Sequence, residues 1–555
     1  MNKIIISDLA PWVVTAALCI VMGYLVTCIP ACIRSWTRPG RRTALFFLLV
    51  SVSIAAFVRF AWVPNTRRIY FDEDRYLMYA VSFARTGQEL GIRLATPTKV
   101  LLGDPDPGAR VTVPTLHAWI MRLFGYNDTP LFTAAKVAST IQILLLFALS
   151  FLLFGSPVGA IVAACIYALL PITAYWSVTT NLDSYFVFFG MLAAIAALWY
   201  VKRPSLARSI FLCATITLLL FVRIEGLAFI PILVIAIVLR RREIRAPLLQ
   251  RSDIFAIAFT ALLLGMRLFI ALPLFSQTWC CAEATPLEIF QIGYVARNII
   301  PNIQTFVMQP EFPAILSLLA FVTLFLPYEW TKKRLPSLSG SARWMLVLWI
   351  LFYFVIYSCY YAGQFYSFTF SGSYGRFFLV LVPPIVLLAA FGLTRIGNVF
   401  VTANNKSKIR MLGVALIVGL TLYPTIINYQ TMIRISPWDA LVDMGPRISR
   451  TQLTQNILPN IPRSAILIHP LTAAPLMDGR TIVAYEAFLS SPQAQSYVKQ
   501  KLKEGVQVYI LHTNTCDSTP YKCAGLRGTF TFVPTPLGQD TTQTIVGIDQ
   551  VKLVH

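Results

Sequence analysis

Uninterrupted apolar stretches of membrane-spanning length, about 17–25 residues, recur along this sequence and leave few folds open to it. They run near 11–33, 44–62, 132–154, 156–175, 183–201, 207–222, 226–240, 253–272, 313–330, 343–361, 377–394 and 411–429. The segments 207–222 and 226–240 are short, and read either as a hairpin or as one broken helix. The chain as a whole is 57% hydrophobic and 13% charged, against about 25% charged in soluble domains. That is more apolar surface than one or two soluble cores can hide. The sequence therefore predicts a polytopic α-helical membrane protein with about twelve transmembrane helices. The first stretch is too long, and too basic on its C-terminal side, to read as a signal peptide.

A formal net charge of +22, from 46 Lys and Arg against 24 Asp and Glu, would suggest nucleic acid in a soluble protein. The placement of the charges argues otherwise. Basic residues gather at Arg34–Arg42, Lys202–Arg208, Arg240–Arg251, Lys332–Arg343 and Arg395–Arg410, opposed only by Glu243. In a twelve-span layout these five loops share one side, which the positive-inside rule makes cytoplasmic. No nucleic-acid partner is implied, because the charge forms no separate basic domain or arm.

The pieces on the opposite, periplasmic or exterior, side are a large first loop (64–131), a smaller loop (273–312) and a C-terminal region (430–555). In that last region Ala465–His469, Thr481–Tyr485, Val506–Leu511, Thr529–Val533 and Thr544–Ile548 read as strands. Pro492–Lys503 reads as a helix ended by Gly505. This predicts a small periplasmic α/β domain. Cys516 and Cys523 would face an oxidising compartment, where they could pair as a disulfide.

The densest chemistry follows the second span, in Tyr70-Phe71-Asp72-Glu73-Asp74-Arg75-Tyr76. An amphipathic helix follows, with Leu77, Ala80, Val81 and Ala84 at helical spacing. The acids read as ordinary N-terminal helix capping or as catalytic groups. Asp183 opens a span, Arg223 and Glu225 interrupt two very apolar stretches, and Arg376 precedes Phe377-Phe378. Arg223 and Glu225 could be a structural ion pair, and Arg376 a snorkelling side chain. Charges at membrane depth are costly and usually functional. Acids and arginines at one face suit a reaction with a carboxylate base and an anionic leaving group such as phosphate.

These residues resemble those of a known family. Asp72-Glu73, Arg75-Tyr76 and a helix closed by Gly87 are similar to the first-loop signature of the C-type (GT-C) membrane glycosyltransferases. The likeness is to the family 39 enzymes, lipid A aminoarabinose transferases and protein O-mannosyltransferases. Pro114, His117 and Trp119, leading to Leu123-Phe124-Gly125, resemble the second half of that loop. Asp183 fits the second acidic position, and Arg376-Phe377-Phe378 with Pro383-Pro384 resembles a late span. The likeness covers most of residues 44–395. The Glu-Lys-Pro triplet of the aminoarabinose transferases is missing from the first loop, where Lys99 and Arg110 are the nearest basic residues.

The resemblance implies an inverting transfer of a sugar from a polyprenyl-phosphate donor to a hydroxyl of a lipid, protein or glycan acceptor. The site would face the periplasm of a bacterial inner membrane. Asp72 would be the general base, assisted by Glu73. Arg223, Arg376 and Arg75 would hold the donor phosphate, and Tyr76, Asp183 and His117 would position substrate. No cofactor is required, although some relatives hold a divalent cation through such acids; the four histidines show no zinc spacing. The expected domains are an additional N-terminal span with its basic loop (1–43), a GT-C-like catalytic membrane domain (44–429) and the periplasmic α/β domain (430–555). Two other classes compete. A transporter would show two similar halves with matching broken helices, which the sequence lacks. A non-enzymatic envelope assembly factor is opposed only by the converging charges.

Overall fold

In the computed structural model the described residues are 3–36, 42–63, 71–105, 111–271, 290–308, 312–325, 339–360, 375–402, 426, 457–469, 473–512, 529–534 and 547–554. The expected span at 411–429, apart from Ile426, and the cysteines Cys516 and Cys523 lie outside them.

The apolar stretches form helices. Along the chain come α1 (Lys3–Trp36), α2 (Arg42–Phe57), α3 (Phe71–Thr86), strands β1 (Leu90–Ala95) and β2 (Val100–Pro105), then α4 (Thr112–Phe124) and α5 (Asp128–Phe154). They are followed by α6 (Pro157–Leu169), α7 (Pro171–Tyr175), α8 (Leu182–Lys202), α9 (Leu206–Val222), α10 (Phe229–Glu243) and α11 (Arg251–Ala271). Next are α12 (Val295–Val307), α13 (Ala314–Phe325), α14 (Gly340–Ser358) and α15 (Val382–Thr402). Among the described residues seven helices are long and apolar enough to cross a membrane, or eight if the α6–α7 pair, bent by 58°, is one span. The protein is a multi-pass helical membrane protein.

Local chemistry sets the ends of these helices. Asn127 accepts from the Thr129 amide at the start of α5, and Gly155 closes that helix in the left-handed region. Asn181, Ser205 and Ser339 cap α8, α9 and α14 in the same way. The segments 207–222 and 226–240 resolve into two helices, α9 and α10, separated by the turn that carries Arg223 and Glu225. Thr323 of α13 lies against Gly392 of α15, where a side-chain Cβ would collide with its hydroxyl. Helix α1 packs on the rest of the fold: Trp119 Nε1 donates to Thr15 Oγ1 at 3.0 Å, and Tyr24 stacks on Phe211.

The C-terminal region supplies β3 (Ile466–His469), β4 (Thr481–Ala484), β5 (Val508–His512), β6 (Phe530–Pro534) and β7 (Gly547–Leu553). These strands do not make their sheet alone. The order is β2-β1-β4-β3-β5-β7-β6, so the first-loop hairpin forms one edge. β1 runs antiparallel to β4 through Leu94–Val483 and Ala95–Ile482. β3 is parallel to both β4 and β5. Alternation along the strands divides the core in two, as the pleat requires. Leu467, Ile482 and Leu511 face Leu77, Ala80 and Val81 of α3. Ile466, Ile468, Val483 and Ile510 face the helix Pro492–Lys503 through Val498.

Candidate active site

Four charged side chains meet at the end of the bundle opposite the basic loops. Asp183 stands in the first turn of α8, Arg223 just past the end of α9, Glu225 in the turn that follows, and Arg376 shortly before α15. Arg223 is buried between two carboxylates. Its Nη1 donates to Asp183 Oδ1, while Nη2 and Nε donate to Glu225 at 2.7 and 3.3 Å. The other carboxylate oxygen of Asp183 lies 3.7 Å from Arg376 Nε, an ion-pair distance beyond good hydrogen bonding. Asp183 is thus shared by both arginines. Two cations face two carboxylates, which offsets the cost of placing charge at this depth.

Aromatic rings complete the setting. The Arg223 and Arg376 guanidinium groups lie 4.7 and 5.2 Å from the Phe377 ring centroid, cation–π distances. Phe377 stacks on Tyr357 at 5.5 Å, and Tyr353 donates its hydroxyl to the Glu225 carbonyl at 3.0 Å. Gly226 is required at the turn: a Cβ there would lie 2.8 Å from the Leu219 carbonyl oxygen. Among the described residues, three of the five Arg223 N–H groups are engaged with Asp183 and Glu225.

The acidic cluster of the first loop forms the start of α3. Asp72 is the second residue of that helix. Glu73, Asp74 and Tyr76 are buried, and Asp74 Oδ2 accepts from the Ala473 amide at 3.4 Å. Arg75 is exposed, with Nε donating to Tyr79 on its own helix. Arg85, nearer the end of α3, donates to the Thr96 and Leu476 carbonyls and lies over the Tyr126 ring. His117 of α4 is buried, and its Nε2 lies 3.3 Å from the Tyr185 hydroxyl, two positions beyond Asp183 on α8. Burial pushes the His117 ring down to about 3, so it is neutral at ordinary pH. Among the described residues no three His, Cys, Asp or Glu side chains group as metal ligands.

Of the residues singled out in the sequence, Asp183, Arg223 and Arg376 come together. His117 joins the same helix as Asp183 through Tyr185. The first-loop acids form a second group whose visible tie is to the C-terminal region. Missed was Arg59, buried in the helical turn Val58–Trp62 that continues α2 and bonded to Ser139, Thr173 and the Ala55 and Ala168 carbonyls. A lone arginine inside the span at 44–62 was its signal.

A bundle of membrane-length helices is topped by a mixed sheet and carries buried arginines and carboxylates at one end. The fold is shared with two solved proteins. ArnT from Cupriavidus metallidurans in the apo state superposes with a TM-score of 0.55 at 12% identity, covering 92% of this chain and 98% of that one. The same protein bound to undecaprenyl phosphate gives 0.54 at 12%, with coverage of 92% and 98%. The apo oligosaccharyltransferase of Archaeoglobus fulgidus gives 0.52 at 13%, covering 92% and 75%. In sequence, the family model described as dolichyl-phosphate-mannose-protein mannosyltransferase matches residues 111–266, which include His117, Asp183 and Arg223. No curated protein matches the chain in sequence. The resemblance read from the motifs is thus met in the fold.

Proposed function

We propose that the protein is a membrane glycosyltransferase that moves a sugar from a polyprenyl-phosphate donor to an acceptor hydroxyl on the periplasmic side. The observation that carries this reading is Arg223 and Arg376 held together on one carboxylate, Asp183, in a fold shared with a protein solved with undecaprenyl phosphate bound. The uncommitted N–H groups of Arg223 are suited to phosphate oxygens, and Phe377 keeps both guanidinium planes oriented. As the donor bond breaks, negative charge grows on the departing phosphate. Fixed arginines beside it stabilise that charge more than they stabilise the ground state.

On the acceptor side, Asp72 takes the hydroxyl proton and Glu73 shapes its surroundings. The acceptor oxygen then attacks the anomeric carbon from the face opposite the phosphate, so configuration inverts. The sugar and acceptor are set by groups beyond this cluster. A transfer assay in membranes supplied with polyprenyl-phosphate sugars tests the assignment. Asp72→Asn is expected to lose about 10²–10⁴-fold in rate. Unchanged transfer by a well-folded Asp72→Asn protein removes Asp72 as the base. A reporter-fusion map placing residues 64–131 in the cytoplasm overturns the sidedness.

A further inference from the structure

Helix α12 buries asparagines and exposes isoleucines. Three of its polar side chains are buried: Asn298, Asn302 and Thr305 are 0%, 4% and 5% exposed. Four of its apolar side chains point out: Ile299 is 38%, Ile300 64%, Ile303 49% and Val307 51% exposed. In water such a row of apolar side chains is a liability. The buried asparagines hold the helix against the end of α14. Asn298 Nδ2 donates to the Ser358 and Tyr360 carbonyls, and Asn302 Nδ2 donates to Ser358 Oγ. The Gln291 amide adds a bond to the Cys359 carbonyl. Exposed apolar surface continues from α12 onto α13 through Leu318, Phe321 and Phe325. Arg297 and Tyr294 sit together at the start of α12, a pairing suited to a headgroup region.

We propose that α12 is an interfacial helix whose isoleucine face is embedded in the acyl chains of bilayer phospholipid. At 13 residues it is too short to span, and outward apolar side chains are what an in-plane membrane helix needs. The face is covered by bulk phospholipid, because it is continuous with the outer apolar surface of the bundle. The placement also bears on the charged cluster. Ser358 follows Tyr357, the ring on which Phe377 stacks, and Phe306 of α12 meets Phe378 edge-on at 5.7 Å. Lipid around α12 therefore braces the aromatic wall beside Arg223 and Arg376.

The test introduces a photo-crosslinking amino acid at Ile300 or Ile303 in the full-length chain in its native membrane, with Lys503 on the sheet domain as control. Illumination should yield phospholipid adducts at both isoleucine positions, at least about tenfold above Lys503, in protein that accumulates normally. Adducts mainly to another protein, or to polyprenyl lipid, overturn the assignment. A yield equal to that at Lys503 overturns it as well, since the face would then be in water.

Discussion

Arg223 concentrates the problem of charge in an apolar bundle into one side chain. Its geometry needs a planar fork: one edge meets Glu225 and one nitrogen meets Asp183. Lysine offers a point charge and cannot reproduce that arrangement. Arg223→Lys is therefore expected to lower transfer by about 100-fold, measured as kcat/KM for the donor. An unchanged value would remove Arg223 from the phosphate site. His117 permits a different measurement. Its folded value of about 3 lies below the unfolded value of 6.5. The unfolded chain therefore takes up the proton first, and the stability that neutral His117 preserves is intact above pH 6.5 and lost as pH falls toward 3. His117→Gln should flatten Tm against pH across that window while keeping a partner for Tyr185. Asp183, Arg223 and Arg376 were legible in the sequence because each charge stands at the end of a long apolar run. The sharing of Asp183 by two arginines was not, because Arg376 is remote in sequence and only packing brings it there.

At the scale of elements, the turn after α9 and the end of α3 carry the most. Gly226→Ala would drive a Cβ against the Leu219 carbonyl. The displaced backbone carries Glu225, so donor KM should rise and Tm should fall, by an amount equivalent to about 1–3 kcal/mol. Arg85 joins the β1–β2 turn to the short helix Ala473–Met477 through the Thr96 and Leu476 carbonyls. Arg85→Ala should quicken limited proteolysis of the C-terminal region in otherwise intact membranes; an unchanged cleavage rate would show that sheet pairing alone holds that joint. The helix Pro492–Lys503 and strands β3 to β6 stood out in the sequence through their periodicity and their Pro and Gly boundaries. The β1–β2 hairpin did not. Gly91 and Gly103 interrupt its apolar pattern, and glycine weakens a strand signal.

For the whole molecule, the composite sheet means that the first loop and the C-terminal region share one core. Removing residues 457–555 should leave α3 with Leu77, Ala80 and Val81 uncovered. The truncated protein is then expected to lose transfer completely and to be degraded, as quantified by membrane immunoblot; retained activity would show that the sheet is dispensable to the acid-bearing helix. Hydropathy made the membrane bundle readable, because each helix reports its surroundings locally. The shared sheet could not be read that way. Its pairing joins Leu94 to Val483 across most of the sequence, and no local pattern records a distant partner.

That separation orders events during synthesis. The β1–β2 hairpin leaves the ribosome early, while β4, the strand it pairs with through Leu94 and Val483, is made near the end. Until then an open strand edge waits outside the bilayer, the kind of edge that invites wrong pairing. Arg93 and Asp104, an ion pair across the hairpin, place charge on this waiting element, much as gatekeeper residues do. The protein is committed to its membrane well before it can close its own sheet, so a nascent chain stalled before residue 481 would be inserted yet unfinished.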